Sequence, residues 1–181
     1  MIKNKKDLKE YIKADIQPFD YKKKRLLAFY AFITKDLYYY RIKYLKTLRK
    51  LEYILNVHPK RIISRIYLKT KKNIIGNRFG WEIPSNVCGP GLHIWHANVV
   101  VNDDAHIGSN CVFHGNNCVG RKGNGYPNIG DNFDLGFGSV VVGNIKIGNN
   151  YLVGANSFVN KNFENDEGGV LVGSPAKLIK K

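Results

Sequence analysis

His96 and His114 are the two side chains best suited to move a proton, and they stand 18 residues apart. Each directly follows a residue, Trp95 or Phe113, that falls on one six-residue phase. If 18 residues make one coil of a repeat, the two imidazoles stack on one edge, about 4.8 Å apart in the direction of strand pairing. Histidine changes charge near neutral pH, so such an edge is a candidate wall for general base catalysis. A stacked pair could equally cap buried carbonyls or hold a metal ion, and the spacing leaves those roles open. His58, His93 and His106 lack this relation and read as surface or packing residues.

The element that must position the pair is an internal repeat. Ile129, Leu135, Val141, Ile147, Val153 and Val159 are six apart, and glycine follows at 136, 148 and 154. Six is neither a helical period nor that of a half-buried strand; it marks a parallel β-helix, in which three short sides close a coil of 18 residues. Upstream the repeat runs in another phase through Ile83, Gly89, Trp95, Val101, Ile107, Phe113 and Val119, with looser occupancy at Gly89 and Trp95. The step from Val119 to Ile129 is 10, so an insertion of four residues must leave the coil at Arg121 to Tyr126. Insertions in a solenoid collect as loops on one face, often the binding face. Arg121 and Tyr126 are therefore candidate substrate-binding residues.

Composition bounds the rest. A chain of 181 residues with 44% hydrophobic content buries a real core in one or two domains. No apolar run approaches the roughly 18 residues of a membrane span, and the first 15 residues are too charged for a signal peptide, which points to a cytoplasmic protein. Cys88, Cys111 and Cys118 show no paired C-x-x-C spacing, so neither a disulfide framework nor a zinc site is expected, and the thiols read as buried and reduced. The net charge of +15 is unevenly spread: residues 1–76 hold 21 Lys/Arg against 6 Asp/Glu, whereas residues 77–181 hold 8 of each.

Residues 1–76 therefore form a basic α-helical N-terminal region, and residues 77–181 the β-helix with a C-terminal closing segment. Leu8, Tyr11, Ile12 and Ile16 give one apolar face before Pro18. A longer pattern runs from Leu26 through Leu37 and Leu45 to about Leu55, and Pro59 starts a third, shorter helix. The aromatics between Phe29 and Tyr44 are expected to pack the helices together and onto the β-helix. A lysine-rich outer face usually keeps a helix soluble, though it also fits peripheral contact with an anionic inner-membrane surface and a glycan assembly there. No specific nucleic acid is expected, because the repeat carries none of the excess charge.

The run Glu82-Ile83-Pro84, Gly89-Pro90-Gly91-Leu92-His93-Ile94-Trp95-His96, Val100-Val101-Asn102, Ile107-Gly108 and His114-Gly115 resembles the hexapeptide-repeat O-acetyltransferases of the serine acetyltransferase type, and within them the branch found with bacterial capsule and surface-polysaccharide genes. Val153-Gly154-Ala155-Asn156-Ser157 and Gly173-Ser174-Pro175-Ala176-Lys177 also match, so the likeness covers about residues 79–179. It implies a mainly β fold, a left-handed parallel β-helix, assembled as a homotrimer with acetyl-CoA in the groove between subunits and no metal. The family's catalytic histidine falls on His96 and its acidic position on Glu82, which would orient that histidine or bind acceptor. His114, one coil on, would hydrogen-bond the acceptor. Gly136, Gly154 and Ala155 fall where the family's backbone meets pantetheine, and Lys177 is placed to meet a phosphate of the coenzyme.

Two departures bear on the acceptor. Serine acetyltransferases carry an aspartate before the catalytic histidine, where this chain has Trp95, and an Arg-His pair in the insertion loop, where it has Gly125 and Tyr126. Both changes remove polar groups that suit a zwitterion, and an aromatic at 95 suits the face of a sugar ring. The sequence reading is thus acetyl transfer to a sugar hydroxyl, with Trp95 and His114 on the acceptor. Serine O-acetylation is the alternative, and a trimeric scaffold with a basic helical binding module is the non-enzymatic one.

Overall fold

The computed structural model describes residues 1–17, 25–165 and 167–179; Pro18 and the rest of 18–24 lie outside the described residues. Four helices precede the β-helix among the described residues: α1 (Lys5–Ile16), α2 (Arg25–Thr34), α3 (Leu37–Val57) and α4 (Ile62–Phe79). The Asn4 side chain caps α1 by accepting from the backbone of Lys6 and Asp7. The pattern expected as one helix from Leu26 to Leu55 is two, because Lys35 takes a left-handed φ of 52° and Asp36 starts α3 by accepting from Tyr39 N. The last helix ends at Phe79 with Gly80 in a left-handed conformation, and the first strand starts at Trp81, slightly beyond the expected boundary at 76.

Three flat faces build the β-helix. Trp81–Glu82, Val99–Val101, Asn117–Gly120, Val140–Val142 and Phe158–Val159 stack in parallel as the first face. His106–Ile107, Asn128–Ile129 and Lys146–Ile147 form the second. His93–Ile94, Val112–Phe113, Asp134–Leu135, Tyr151–Val153 and Gly169–Gly173 form the third, closed by the antiparallel strand Ala176–Ile179. Ile129 pairs with Ile147 on one side and with Ile107 on the other. The step on to Ile147 is one regular coil, whereas the longer step back to Ile107 contains the expected insertion. The inserted residues leave the coil as a tight turn, with Lys122 and Gly125 exchanging backbone hydrogen bonds of 3.0 and 3.1 Å.

The first coil corrects the expected phase. Trp81 pairs with Val99, one regular coil on, but Ile94 pairs with Phe113 where a regular coil would have brought it to Val112. The turn between Ile94 and Val99 holds one residue more than its counterpart between Phe113 and Asn117. Cys88 and Ile94 are consequently the buried residues at the places expected of Gly89 and Trp95. Asparagine also shares the corners with glycine: Asn98, Asn116, Asn132, Asn150 and Asn156 all have positive φ, a region asparagine tolerates better than most residues. Their side chains form ladders, Asn98 to Asn116 at 2.9 Å and Asn132 to Asn150 at 2.9 Å.

The helices share the β-helix core. Tyr44, Leu45, Leu48 and Ile75 pack with Trp81 and Ile83, and the Tyr44 hydroxyl donates to Trp81 O at 3.1 Å. Arg49 is fully buried beside Asp15 and Glu52, at 2.7 and 3.0 Å, and also donates to the carbonyls of Cys88 and Gly89. Asp15 in turn accepts from the backbone of Gly91 and Leu92. This ionic cluster bolts α1 and α3 to the loop that leads into His93–His96. The expected packing of the aromatics holds for Tyr44 and for Tyr38 and Tyr40, which pack against the same core, and Phe32 of α2 meets Tyr39 of α3 edge-on, whereas Phe29 and Tyr30 are left exposed.

Candidate active site

In each coil the third face feeds a corner that leads to the first face, and there most of the chemistry collects. Leu135 pairs with Phe113 and Val153, and Val153 with Leu171, all buried. The next residue along each strand points outward, since side chains alternate. Trp95, His114, Gly136, Gly154 and Val172 therefore form one outer column, and Lys177 pairs with Val172 at its far end. Four steps of strand spacing make this column about 19 Å long. The two glycines leave a strip without side chains between His114 and Val172. An added Cβ at Gly136 would lie 2.6 Å from Val153 O, so the backbone there is packed too closely for any side chain.

The extra residue in the first turn changes the expected stacking of the histidines. Trp95 N donates to Phe113 O at 2.8 Å, so Trp95 lies directly across the rung from His114. His96 is displaced around the corner, where a Cβ at Gly115 would come within 2.7 Å of its own Cβ. Its ring meets Phe137 edge-on with centroids 6.4 Å apart, and its carbonyl accepts from Trp81 Nε1 at 2.9 Å. Both imidazoles thus remain at one corner, His96 exposed and His114 half-buried, but on neighbouring columns.

Two residues that sequence reasoning missed support this corner. His114 Nε2 lies 2.9 Å from Asp134 Oδ1. Asn117 is buried and spans two turns, accepting from Gly115 N at 2.7 Å and donating to Gly136 O at 2.8 Å. A polar residue at an inward repeat position was the one available signal for Asn117. Arg41 of α3 also reaches the corner: it donates to Ile94 O at 3.2 Å, and its guanidinium lies 5.5 Å from the Tyr38 ring and 5.8 Å from the Trp95 ring.

Glu82, Arg121 and Tyr126 lie elsewhere in the chain. Glu82 pairs with Val100 on the outer surface of the first face and makes no hydrogen bond to His96 among the described residues. It lines a cleft of about 900 Å³ between α4 and the first coil, opposite Lys72, whose pKa burial lowers and whose ammonium donates to Ile83 O at 2.7 Å. Arg121 and Tyr126 stand at the opposite end of the first face from His96, both exposed, with Arg121 3.9 Å from Asp104. Ala155 lies at the same corner as Gly154 and is exposed. Among the described residues no group of three or more His, Cys, Asp or Glu side chains is gathered as a metal site, and no helix is long and apolar enough to cross a membrane.

No protein-family model matches the chain. The serine acetyltransferase of Staphylococcus epidermidis is 36% identical over 107 residues, covering 56% of this chain and 49% of the relative. That of Buchnera aphidicola is 32% identical over 157 residues, covering 83% of this chain and 58% of the relative. The soybean serine acetyltransferase apoenzyme superposes with a TM-score of 0.73 at 26% identity over 96% of this chain and 69% of that one. The chain is similar to the serine acetyltransferases in sequence and in fold. The shared fold is the left-handed parallel β-helix with helices before it. The expected placement in a surface-polysaccharide branch finds no support in these matches, whose names are all serine acetyltransferase. The chain spans about half the length of the curated relatives it matches.

Proposed function

We propose that this chain is an acetyl-CoA-dependent O-acetyltransferase with His96 as general base. The observation that carries the reading is the corner itself: two imidazoles beside an outer column that continues through Gly136 and Gly154 to Lys177. Acetyl-CoA is a co-substrate whose extended arm suits a narrow strip of exposed backbone, and the Lys177 ammonium at the far end suits a phosphate. In the reaction His96 takes the proton of the acceptor hydroxyl as its oxygen bonds to the thioester carbonyl carbon. The carbon–sulfur bond then breaks, and the thiolate takes the proton from His96. Phe137 meets the edge of the imidazole and flanks it on one side.

Free serine is the acceptor that the relatives favour, and the soybean enzyme has also been solved complexed with serine. Arg41 supports this reading, because it brings to the corner a cation that could meet a carboxylate where the insertion loop offers Gly125 and Tyr126. A sugar hydroxyl is the second reading, and Trp95 in place of an aspartate is the observation that favours it. Within one chain the 121–126 loop cannot wall the His96 corner, since the two lie at opposite ends of the first face. A homotrimer in which a neighbour supplies that loop accounts for both. The test is incubation with labelled acetyl-CoA, L-serine and a panel of nucleotide sugars and glycans, with sedimentation of the active species. Transfer to L-serine by a trimer supports the reading, and an active monomer or the absence of any acetyl transfer overturns it.

A further inference from the structure

Asp134 takes no part in the proposed proton transfer, yet it holds one of the two imidazoles at the corner. Its carboxylate Oδ1 lies 2.9 Å from His114 Nε2, and both side chains are partly exposed, at 37% and 40%. An ionised carboxylate is only an acceptor, so Nε2 must carry the proton in this pair. In the neutral ring the lone pair is then on Nδ1, and His114 offers its surroundings an acceptor rather than a donor. Sequence numbers hide the relation because the partners are not on one column: Asp134 pairs in register with Val112, two residues before His114.

What faces His114 along its own column is Trp95 below and the side-chain-free Gly136 above. Space for a ligand therefore opens on the side that leads toward the proposed acetyl-CoA strip, with His96 around the same corner. The reacting hydroxyl gives its proton to His96, so a second imidazole that accepts on Nδ1 suits another donor on the same molecule, which would displace solvent from it.

We propose that Asp134 is a positioning residue that fixes the tautomer of His114, and that His114 Nδ1 accepts a hydrogen bond from a second donor next to the reacting hydroxyl of the acceptor. This rests on the O-acetyltransferase reading. The shared chemistry is a hydroxyl with a neighbouring N–H or O–H donor: the ammonium of a free hydroxy amino acid, or the adjacent hydroxyl of a sugar. An acceptor without that donor leaves the fixed lone pair unanswered, and such polar mismatches discriminate strongly.

Two measurements test it. Nitrogen-15 NMR of histidine-labelled protein in mildly alkaline buffer should show His114 as the Nε2–H tautomer, and Asp134→Asn should lose that preference, because an amide can donate as well as accept. In steady-state assays Asp134→Asn should lower kcat/KM for the acceptor about 10- to 100-fold with the KM for acetyl-CoA within about twofold, and Asp134→Glu should recover part of the loss. The source of the donor follows from paired acceptors: L-serine against 3-hydroxypropionate, and a sugar that is a substrate against its adjacent deoxy analogue. The wild type should prefer the intact member of the pair it uses, and His114→Ala should shrink that preference about tenfold or more. A wild-type His114 protonated on Nδ1 overturns the proposal, as does Asp134→Asn with wild-type acceptor kinetics or a preference unchanged in His114→Ala. Absence of acetyl transfer to any acceptor by the wild type instead overturns the O-acetyltransferase reading, and this proposal with it.

Discussion

Trp95 and His114 face each other across one rung of the β-helix, because the turn that carries His96 holds one residue more than the turn above it. A regular coil would set His96 under His114. The longer turn instead puts the imidazole of His96 around the corner, against Gly115 and Phe137.

Gly115 is the residue that this arrangement constrains most. Its φ is 120°, and an added Cβ would lie 2.7 Å from the Cβ of His96. Gly115→Ala should therefore push His96 aside and strain the turn, lowering turnover at least about tenfold and stability by about 1–3 kcal/mol. Gly143→Ala is the control for strain alone, since its φ is also positive at 105° but the added carbon would meet nothing closer than 3.8 Å. Turnover of the two variants, each corrected for folded fraction, checks this; equal losses would remove the steric argument.

The buried Arg49 cluster should behave as one unit. Arg49→Met leaves the carboxylates of Asp15 and Glu52 buried without their cation, a loss on the order of 3–5 kcal/mol. For a chain of this size that lowers the thermal midpoint by roughly 10 °C. Asp15→Asn should cost less, because Glu52 still faces the guanidinium and the amide oxygen can still accept from Gly91 and Leu92. Thermal unfolding of both variants reads the difference.

The three thiols should react in an order set by burial. Burial raises the Cys88 thiol strongly and pushes Cys111 up to about 12, while Cys118 is only partly buried and less affected. Thiolate is the reactive form, so at neutral pH an alkylating reagent should label Cys118 first and the other two only after unfolding. Mass spectrometry of labelled peptides checks the order.

The repeat was legible because a six-residue period has no helical or ordinary strand counterpart, and the four-residue insertion because it shifts the phase of that period. The extra residue of the first turn was not legible. Ile94 and Trp95 are both apolar, and either could have been the inward one; only burial separates Ile94 at 0% from Trp95 at 36% exposure. Asp134 was hidden for another reason: its hydrogen bond to His114 runs diagonally between columns, at a separation no repeat period predicts. The break at Lys35 came from a left-handed residue followed by an aspartate cap, a local signal that the longer apolar pattern masked.

The most direct test of the account is the turnover of His96→Ala measured beside its affinity for acetyl-CoA. The account predicts a loss of roughly 10²–10⁴-fold in turnover with coenzyme affinity nearly unchanged, since the proposed coenzyme strip and Lys177 lie along the column and not at His96. A His96→Ala protein that binds acetyl-CoA and turns over near the wild-type rate would contradict it.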